Sequence, residues 1–418
     1  MSEEIQTRIL VVSGAFPSSA DPSRGIFVHQ RVRALSEMPG IDVRVIAPTP
    51  WAPPVESVPK WRDFSKLPRS EVFKGLAIER PRYFLPPKVG GYFHPQFMYP
   101  ALLKAARKLH QEFPFDLIDA HFVYAAGVAA TKAAKTLGVP ICLTGRGEDM
   151  IRFPSMPFKG KSIRWALNNA DAFVGVSEQI SQAMVTHGAK PDRVTTIANG
   201  VDIQQFAPQS QIECRESLGL PTDRKILITV GDRLELKGFH VIVEALPEVL
   251  KTHPDAMYVC VGGPGRHGRD YTSQIQSRID ALGLGDRVLL AGPQDHSELP
   301  CWYNAADLYV LASSREGSPN ALLEALSCGT PAVATRVGGA PDELEPTGFG
   351  LVMAERSPQA AAKTISEALT KNWDRQAIRR ALENRSWNRI AATVLNHLGP
   401  LLPKNKMAGM AMSGETDY

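Results

Sequence analysis

The chain has 418 residues, more than one hydrophobic core usually organises, so two domains are expected. Hydrophobic residues at 44% and charged residues at 22% match ordinary globular proteins, which excludes a disordered or membrane-embedded body. The net charge of +4 is small, and no zinc-finger spacing or arginine-rich tract occurs, so we expect no nucleic-acid partner.

The five cysteines are isolated and form no C-x-x-C pair, which favours a reducing compartment. The acidic start MSEEIQTRILVVSG runs straight into a strand-like segment and lacks the basic and apolar regions of a secretory signal. No window approaches the roughly 18–20 apolar residues of a spanning helix. We therefore expect a cytoplasmic protein, with any membrane contact peripheral and at the inner face.

In chain order, the first half alternates short β-branched runs with longer helical stretches, which predicts parallel strands joined by crossover helices. The expected strands are Arg8–Val12, Val43–Ala47, Phe115–His121, Val139–Thr144, Ala172–Val176 and Val194–Ile197. The expected helices are 26–38, 101–113, 125–137 and 178–187. Residues 48–100 contain many prolines and aromatics without a clear period, so we interpret them as an insertion.

A second alternating set follows a polar join at 200–222. Its expected strands are Ile226–Gly231, Ala256–Val261, Arg287–Ala291, Leu308–Ala312 and Ala332–Thr335. Its expected helices are 239–251, 271–282, 297–304 and 319–328. The predicted domains are 1–205 and 206–385, with a disordered tail at 407–418. Because ligands bind beyond the carboxyl ends of parallel strands, two such domains would face each other across a ligand-binding cleft.

The segment EGSPNALLE, Glu316 to Glu324, directly follows a predicted strand. Ser318 is a favoured N-cap, Pro319 suits the first helical position, and Gly329 suits the helix end. Glu324 then lies about 9 Å beyond the cap along the helix axis. The positive helix end can hold a diphosphate, with one carboxylate on either side for sugar and ribose hydroxyls. The alternative is an acidic loop residue and a solvated helix glutamate.

Arg233 and Lys237 lie between a predicted strand and a helix, four residues apart. Fixed cations at this edge would stabilise a departing diphosphate, although two solvated surface charges would give the same spacing. No D-x-D triplet and no His, Cys or acidic cluster has metal-ligand spacing. We therefore predict no metal, with the two cations in its place.

The segment SREGSPNALLEALSCGTPAVATRVGG resembles the signature of the retaining GT-B glycosyltransferases of family four, including its E-x7-E spacing. The similarity also covers VGDRLELKGF, ANGVD at 198–202 and SWNRIAA at 386–392, and runs from about residue 8 to 398. It implies an α/β GT-B fold, two Rossmann-like domains, with the acceptor on the first and the nucleotide sugar mostly on the second. It also implies that 386–398 returns to the first domain.

The resemblance assigns roles to residues of both domains. The residues expected to be catalytic are Arg233, Lys237, Glu316 and His121. For His121 the alternative is a purely structural role. The expected donor-binding residues are Gly231, Gly263, Gly317, Ser318, Pro319, Asn320, Ala321, Leu322 and Glu324. The expected acceptor-binding residues are Gly25, His29, Arg146 and Asp149. His29 has a packing role as its alternative. Arg146 replaces a family histidine, which leaves open whether its loop assists the reaction or binds an anionic acceptor.

The predicted reaction is the retaining transfer of a sugar from a nucleoside diphosphate to a saccharide or lipid-linked acceptor. UDP is expected as the nucleotide in preference to GDP, and no cofactor is expected. Same-face transfer is favoured over double displacement, because both glutamates are better placed to bind hydroxyls. The start FPSSADPSRGIFVHQRV resembles enzymes of bacterial surface polysaccharide synthesis. A 2-epimerase of the same fold and a non-catalytic nucleotide-sugar module are the alternatives. A glucan phosphorylase would need a pyridoxal lysine and a longer chain.

The acceptor itself is not specified by these motifs. Residues 91–113 combine aromatics with a predicted helix carrying Lys104, Arg107 and Lys108, which suits contact with an anionic membrane. The alternative is a helix that packs on the sheet with its basic face in water.

Overall fold

In the computed structural model the described residues are 7–53, 55, 57–86, 90–265 and 269–403. Contacts divide the chain into two units. One consists of Met1–Asn199 and Trp387–Tyr418, here called the N-unit, and the other of Gly200–Ser386, here called the C-unit. The join expected at 200–222 begins at this division. The tail expected at 407–418 lies outside the described residues.

The N-unit contains ten strands among its described residues. They are β1 Thr7–Ser13, β2 Ile41–Ile46, β3 Thr49–Pro50, β4 Ser70–Phe73, β5 Leu76–Glu79, β6 Arg82–Tyr83, β7 Leu117–His121, β8 Ile141–Gly145, β9 Ala172–Gly175 and β10 Val194–Thr196. Its helices before the join are α1 Ile26–Ser36, α2 Pro59–Lys66, α3 His94–Glu112, α4 Val128–Leu137, α5 Glu148–Ile151, α6 Pro157–Leu167 and α7 Glu178–Thr186. The six predicted strands of this half are confirmed to within two residues at each end.

Eight of these strands form one sheet in the order β10-β9-β8-β7-β1-β2-β5-β4. Every pairing is parallel except that of β4 with β5. The strand order reverses between β1 and β7, where Ser13 is in register with His121. This switch point is where open parallel sheets leave a crevice for ligands.

The segment expected to be an insertion, 48–100, is partly integrated into this sheet. Strand β5 pairs with β2, and β4 closes the edge, while β3 and β6 form a separate two-stranded pair. The interpretation of the whole segment as an insertion is therefore wrong for 70–79. These strands are four residues long, too short to show a period in a proline-rich sequence.

Among its described residues the C-unit has six strands, β11 Lys225–Val230, β12 Ala256–Val261, β13 Val288–Gly292, β14 Leu308–Leu311, β15 Ala332–Thr335 and β16 Gly350–Met353. Its helices are α8 Gln211–Ser217, α9 Phe239–Thr252, α10 Thr272–Ala281, α11 Leu299–Ala305, α12 Asn320–Ser327, α13 Ala340–Leu344, α14 Pro358–Thr370 and α15 Arg375–Leu382. The sheet is wholly parallel, in the order β13-β12-β11-β14-β15-β16. This is the doubly wound dinucleotide-binding order, and its switch point lies between β11 and β14.

The last described helix, α16 Trp387–Leu398, belongs to the N-unit. One side packs Trp387, Ala391 and Leu395 against α1, and the other packs Ile390 and Val394 into the cluster around Leu117, Cys142 and Val174. The apolar residues recur every three or four positions, which is the spacing of a helix that buries one face. The helix thus covers one face of the N-unit sheet.

Candidate active site

The loop after β11 carries both predicted cations and lies at the switch point of the C-unit sheet. Residues Glu235–Lys237 form one 3-10 turn, and Gly238 then starts α9 with a φ of 75°. A Cβ on Gly238 would lie 2.0 Å from the carbonyl oxygen of Ala312, so only glycine lets the loop pass this close to the end of β14. The approach brings Lys237 to the residues that follow β14.

Arg233 is fixed by protein groups and is 8% exposed. Its Nη1 donates to the carbonyl of Gly262 at 2.5 Å, its Nε donates to Thr272 Oγ1 at 2.7 Å, and its backbone N–H donates to the carbonyl of Gly263 at 2.7 Å. A Cβ on Gly262 would lie 1.9 Å from the carbonyl oxygen of Gly231, so the loops after β11 and β12 touch. A solvated surface charge is therefore the wrong description of Arg233.

Lys237 and Glu316 form an ion pair. The Nζ atom of Lys237 lies 2.7 Å from Glu316 Oε1, and the hydroxyl of Ser313 donates to the same oxygen at 2.7 Å. The side chains are 26% and 13% exposed, so the pair is partly open to solvent. The sequence spacing suggested roles for both residues but did not predict that they pair, because they are 79 positions apart.

The backbone that carries Glu316 is supported by the loop after β15. Gly338 has a φ of 53°, and a Cβ there would lie 2.4 Å from the carbonyl oxygen of Gly317 and 2.6 Å from that of Glu316. The N–H of Gly339 donates to the carbonyl of Gly317 at 2.8 Å. The sequence analysis did not identify this support. The signal that could have indicated it is the glycine pair Gly338–Gly339 after a predicted strand.

Helix α12 begins one position later than expected. Pro319 is its N-cap and Asn320 its first residue, so the assignments of Ser318 as N-cap and of Pro319 as first helical residue are wrong. The shift has a physical reason, because Pro319 has extended backbone angles and its carbonyl accepts the N–H of Leu322. Gly329 follows the helix with a φ of 77°, as the C-terminal signal predicted.

The predicted donor-binding residues after Glu316 are thus divided between a loop and the first helical turn. Gly317 and Ser318 lie in the loop, while Asn320 and Ala321 open the helix, where backbone N–H groups lack intrahelical partners. Leu322 is fully buried in the C-unit core, so its side chain cannot contact a ligand.

Glu324 is held by two residues that the sequence did not identify. The hydroxyl of Tyr303 on α11 donates to Oε2 at 2.8 Å, and His296 Nε2 lies 3.3 Å from Oε1. The carboxylate side chain is 14% exposed, so the alternative of a solvated helix glutamate is wrong. An ionised carboxylate has about four lone-pair sites, and the two contacts leave acceptor capacity for hydroxyl groups.

His121, at the end of β7, is fully buried. Its Nδ1 faces Arg146 Nη2 at 2.8 Å, and its Nε2 lies 3.3 Å from Asp119 Oδ2. Arginine only donates, so Nδ1 is the acceptor and the ring is neutral with its proton on Nε2. Burial lowers the pKa of His121 to about 4, and Arg146 adds to the effect while Asp119 opposes it. Both ring nitrogens face protein groups, as the structural alternative predicted.

A buried cluster of charges surrounds this histidine. Arg31 Nη2 pairs with Asp119 Oδ2 at 2.9 Å, and Arg31 Nη1 donates to Thr144 Oγ1 at 3.1 Å. Although burial alone would raise it, Arg31 and His121 hold the pKa of Asp119 well below its ordinary value. Arg31 and Asp119 were both missed, since the sequence separates them by 88 positions.

Arg146 is 7% exposed and connects this cluster to Asn199, the last residue of the first segment of the N-unit. Its Nη1 donates to Asn199 Oδ1 at 2.8 Å, and its guanidinium carbon lies 5.3 Å from the Phe27 ring centroid. Burial, with Arg31, lowers the pKa of Arg146 to about 9.

Asp149, the other residue predicted in this loop, holds the loop backbone in place. Its carboxylate accepts the backbone N–H groups of Val123 at 2.8 Å, Gly147 at 2.8 Å and Arg146 at 3.1 Å. It is 3% exposed, and burial raises the pKa of Asp149 against the effect of these hydrogen bonds. Asp149 therefore fixes the loop, with its oxygens turned to the backbone.

Gly25 and His29 lie at the start of α1. Gly25 is the N-cap with a φ of 65°, and a Cβ there would lie 2.5 Å from the carbonyl oxygen of Ala15, so glycine permits the close approach to the loop after β1. His29 is 2% exposed, with its ring edge-on between Phe16 at 5.9 Å and Phe73 at 5.5 Å. The packing alternative describes His29, whose burial against two aromatic rings contradicts the expected acceptor-binding role of its side chain.

The described ranges contain neither a metal-binding cluster nor a membrane-spanning helix. Within them, no three His, Cys, Asp or Glu side chains are grouped closely enough to hold a metal ion. None of the helices described is both long and apolar enough to cross a membrane.

On α3, Met98, Leu102 and Ala106 are buried, while Lys104 and Lys108 are exposed.

Sequence comparisons match both halves of the chain. The family profile described as Glycosyl transferases group 1 matches residues 210–385, and that described as Glycosyltransferase Family 4 matches residues 25–205. A Bacillus subtilis glycosyltransferase named for teichuronic acid biosynthesis is 29% identical over 365 residues, which are 86% of this chain and 88% of that protein. The D-inositol 3-phosphate glycosyltransferase of Frankia alni is 30% identical over 273 residues, 62% of this chain and 67% of that protein.

Solved structures share the fold over nearly the whole chain. Sucrose-phosphate synthase from Thermosynechococcus elongatus aligns with a TM-score of 0.74 at 22% identity, covering 95% of this chain and 99% of that one. Anabaena HepE, in complex with UDP, aligns with a TM-score of 0.71 at 19% identity, covering 94% and 100%. The expected GT-B fold class, with two Rossmann-like parallel-sheet domains, is confirmed.

Proposed function

Because this chain belongs to the group 1 glycosyltransferases, we propose that it moves a sugar from a nucleoside diphosphate to a saccharide or lipid-linked acceptor with retention of configuration. The observation that carries the proposal is the ion pair between Lys237 and Glu316, together with Arg233, which lies in the same loop as Lys237 and donates to the carbonyl of Gly262. The pair places Lys237, proposed to bind the diphosphate, next to Glu316, proposed to bind the transferred sugar, at the switch point of the C-unit sheet.

The two cations bind the diphosphate. Arg233 is held in place before the donor arrives, so its charge needs little reorganisation as negative charge gathers on the leaving phosphate. Lys237 neutralises Glu316 in the unliganded state, and the diphosphate takes over part of that interaction when it binds. We propose that these two cations perform the task that a divalent metal performs in other transferases, so that the reaction is metal-independent.

The two glutamates bind the two sugars of the donor. Glu316, released from Lys237, accepts hydroxyl groups of the transferred sugar. Glu324, fixed by Tyr303 and His296, accepts the ribose hydroxyls. The backbone N–H groups at the start of α12 lie between these two carboxylates in the chain and are suited to the phosphate oxygens. Gly231 and Gly263 let the loops approach the nucleotide closely.

The chemical step proceeds on one face of the sugar. The bond between the anomeric carbon and the leaving phosphate oxygen breaks, and the bond to the acceptor oxygen forms on the same side. The acceptor's proton passes to the departing phosphate. His121 contributes by position, since it fixes the carboxyl end of β7 through Asp119 and Arg146. Gly25 supports the acceptor-side loop in the same way.

We propose UDP as the carrier, which the UDP complex of Anabaena HepE supports, and a hexose as the transferred sugar. The relative named for teichuronic acid biosynthesis supports a role in surface polysaccharide or glycolipid assembly. We place the enzyme in the cytoplasm, in peripheral contact with an anionic membrane through the segment that includes exposed Tyr92 and Phe93. Flotation with vesicles of phosphatidylglycerol tests that contact.

The test of the function is product analysis. The purified full chain is incubated with UDP-glucose, UDP-galactose and GDP-mannose, with and without saccharide acceptors, and the products are separated by mass spectrometry. We expect UDP and a glycosylated acceptor, formed only when the acceptor is present. A new sugar nucleotide formed without acceptor would identify an epimerase, and tight donor binding without turnover would identify a non-catalytic module.

A further inference from the structure

Two cysteines of the C-unit meet where α8 packs on α11. Cys214 lies on α8 and Cys301 on α11, 87 positions apart in the sequence. The thiol of Cys301 donates to the carbonyl oxygen of Cys214 at 3.7 Å. Burial, together with a hydrogen bond between the two thiols, raises the pKa of Cys214 to about 12. The sequence shows each cysteine alone, and the fold makes these two neighbours.

The two thiols differ in their access to solvent. Of the five cysteines, four are buried and Cys301 is partly exposed. The hydroxyl of Ser217, an exposed residue, lies 3.3 Å from Cys301 Sγ, so this sulfur is close to the protein surface. Cys214 is 4% exposed, and its thiol donates to Gln209 Oε1 at 3.3 Å. A reagent in solution therefore meets Cys301 first.

Polar contacts fix α8 against α11. The Nε atom of Arg215 donates to the carbonyl of Ala305 at 2.8 Å, and the backbone N–H of Gln209 donates to Asn304 Oδ1 at 2.9 Å. Disulfide formation needs the two Cβ atoms within about 3.5–4.5 Å of each other. Because the helices are held together on both sides of the thiols, only a small movement of α11 is needed to join the sulfurs.

Helix α11 also supports the carboxylate proposed to bind the ribose. Tyr303 lies two residues after Cys301 on α11, and its hydroxyl donates to Glu324 Oε2 at 2.8 Å. A disulfide holds its sulfurs about 2.05 Å apart, closer than two sulfurs approach without a bond. Closing it would therefore draw α11 toward α8 and shift the Tyr303 hydroxyl relative to Glu324.

We propose that Cys214 and Cys301 form a reversible disulfide that weakens nucleotide binding at Glu324. The Cys301 thiolate attacks a low-molecular-weight disulfide such as glutathione disulfide, which forms a mixed disulfide and releases one glutathione. Cys214 then loses its proton and attacks the Cys301 sulfur, which releases the second glutathione. Two protein thiols are oxidised, and one glutathione disulfide is reduced to two glutathiones. A reducing compartment keeps both thiols free, and an oxidative challenge joins them.

Peptide mapping tests the disulfide. The reduced full chain is incubated with glutathione disulfide, alkylated and digested. We expect the peptide that contains Cys214 to be cross-linked to the one that contains Cys301, and dithiothreitol to reverse the link. Cys214→Ala should stop at glutathione bound to Cys301, and Ser217→Ala, the control, should form the link as wild type does. A folded wild-type chain that forms no link, or that stops at the mixed disulfide, would overturn the inference.

Calorimetric titration with UDP tests the effect on the nucleotide, which rests on the proposed function. The cross-linked chain should bind UDP at least about threefold more weakly than the reduced chain. Cys301→Ser, at the partly exposed position, should bind UDP as reduced wild type does, before and after treatment with glutathione disulfide. Equal UDP affinity of the cross-linked and reduced chains would overturn the regulatory effect. A reduced chain that binds no UDP would contradict the proposed function itself, whereas the cross-link is measured independently of UDP.

Discussion

At the scale of single residues, the predicted charges are already partnered before any ligand arrives. Lys237 is paired with Glu316, Glu324 accepts from Tyr303, and Arg233 is tied to backbone carbonyls. The residue types and the E-x7-E spacing could be read from the sequence. Their partners could not, because Ser313, Tyr303 and His296 come to the site only through the packing of strands and helices. The same limit applies to His121, whose burial between Asp119 and Arg146 depends on strands far apart in sequence.

Replacing Glu324 and replacing Glu316 should change different quantities, nucleotide affinity in one case and kcat in the other. In the proposed function Glu324 binds a part of the donor that changes little during reaction, so Glu324→Ala should mainly weaken binding of donor and free UDP. Glu316 is proposed to bind the sugar whose ring changes toward the transition state, so Glu316→Ala should lower kcat by about 10–1000-fold for a loss of about 1.4–4 kcal/mol. Calorimetric titration with UDP and steady-state kinetics give both quantities.

The ion pair between Glu316 and Lys237 gives a further expectation for the UDP affinity of the Glu316 variant. Since Glu316→Ala releases Lys237, the affinity of that variant for free UDP should be retained or increased. Glu216→Ala on α8, an exposed position, serves as the control and should change neither quantity. Loss of UDP binding in Glu316→Ala together with normal UDP binding in Glu324→Ala would reverse the assignment of the two carboxylates.

At the scale of elements, alternation of β-branched runs and helical stretches was sufficient to locate the parallel strands around both switch points. It failed where elements are short or lack a period. Strands β4 and β5 were missed within 48–100, and β16 was missed although β14 and β15, which are equally short, were predicted. The start of α12 was misplaced by one residue, since the choice between Ser318 and Pro319 as cap depends on backbone angles that the sequence does not specify.

The loop before α9 gives a test at this scale. Gly238→Ala places a Cβ 2.0 Å from the Ala312 carbonyl oxygen, so the loop must move and Lys237 with it. We expect UDP affinity to fall at least about tenfold. The matched control is Gly283→Ala, which has a similar φ of 64° but open space around the new Cβ. It should cost about 1 kcal/mol of unfolding free energy and leave UDP binding unchanged. Equal UDP affinity in the two variants would contradict the role of this close approach.

At the scale of the whole molecule, the N-unit contains a buried cluster of charges around His121 and further histidines removed from solvent. Burial is the main cause that lowers the pKa values of His29, His94 and His121 to about 4. In the unfolded chain these histidines take up protons near pH 6.5. Between pH 6.5 and 4 the unfolded state therefore binds more protons than the folded state, and stability falls as the pH falls.

Urea denaturation at pH 7.5, 6 and 5 measures this effect. The unfolding free energy should be constant above about pH 7.5 and then decrease by about 1 kcal/mol per pH unit for each histidine. His29→Leu removes one of the three groups from between two aromatic rings, so its slope between pH 6 and 5 should be smaller than that of wild type. A slope that is identical in the two proteins would show that His29 is not kept neutral by burial.

The reaction proposed for the Lys237–Glu316 pair is retaining, metal-independent transfer from a nucleoside diphosphate sugar. The most direct measurement is proton NMR of the product formed from an α-linked UDP-sugar and a saccharide acceptor in excess EDTA. The anomeric coupling constant reports the configuration of the new bond. We predict an α-linked product, formed at the same rate with and without added Mn²⁺ and strongly reduced in Glu316→Ala. A β-linked product, or a strict requirement for the metal, would contradict the account.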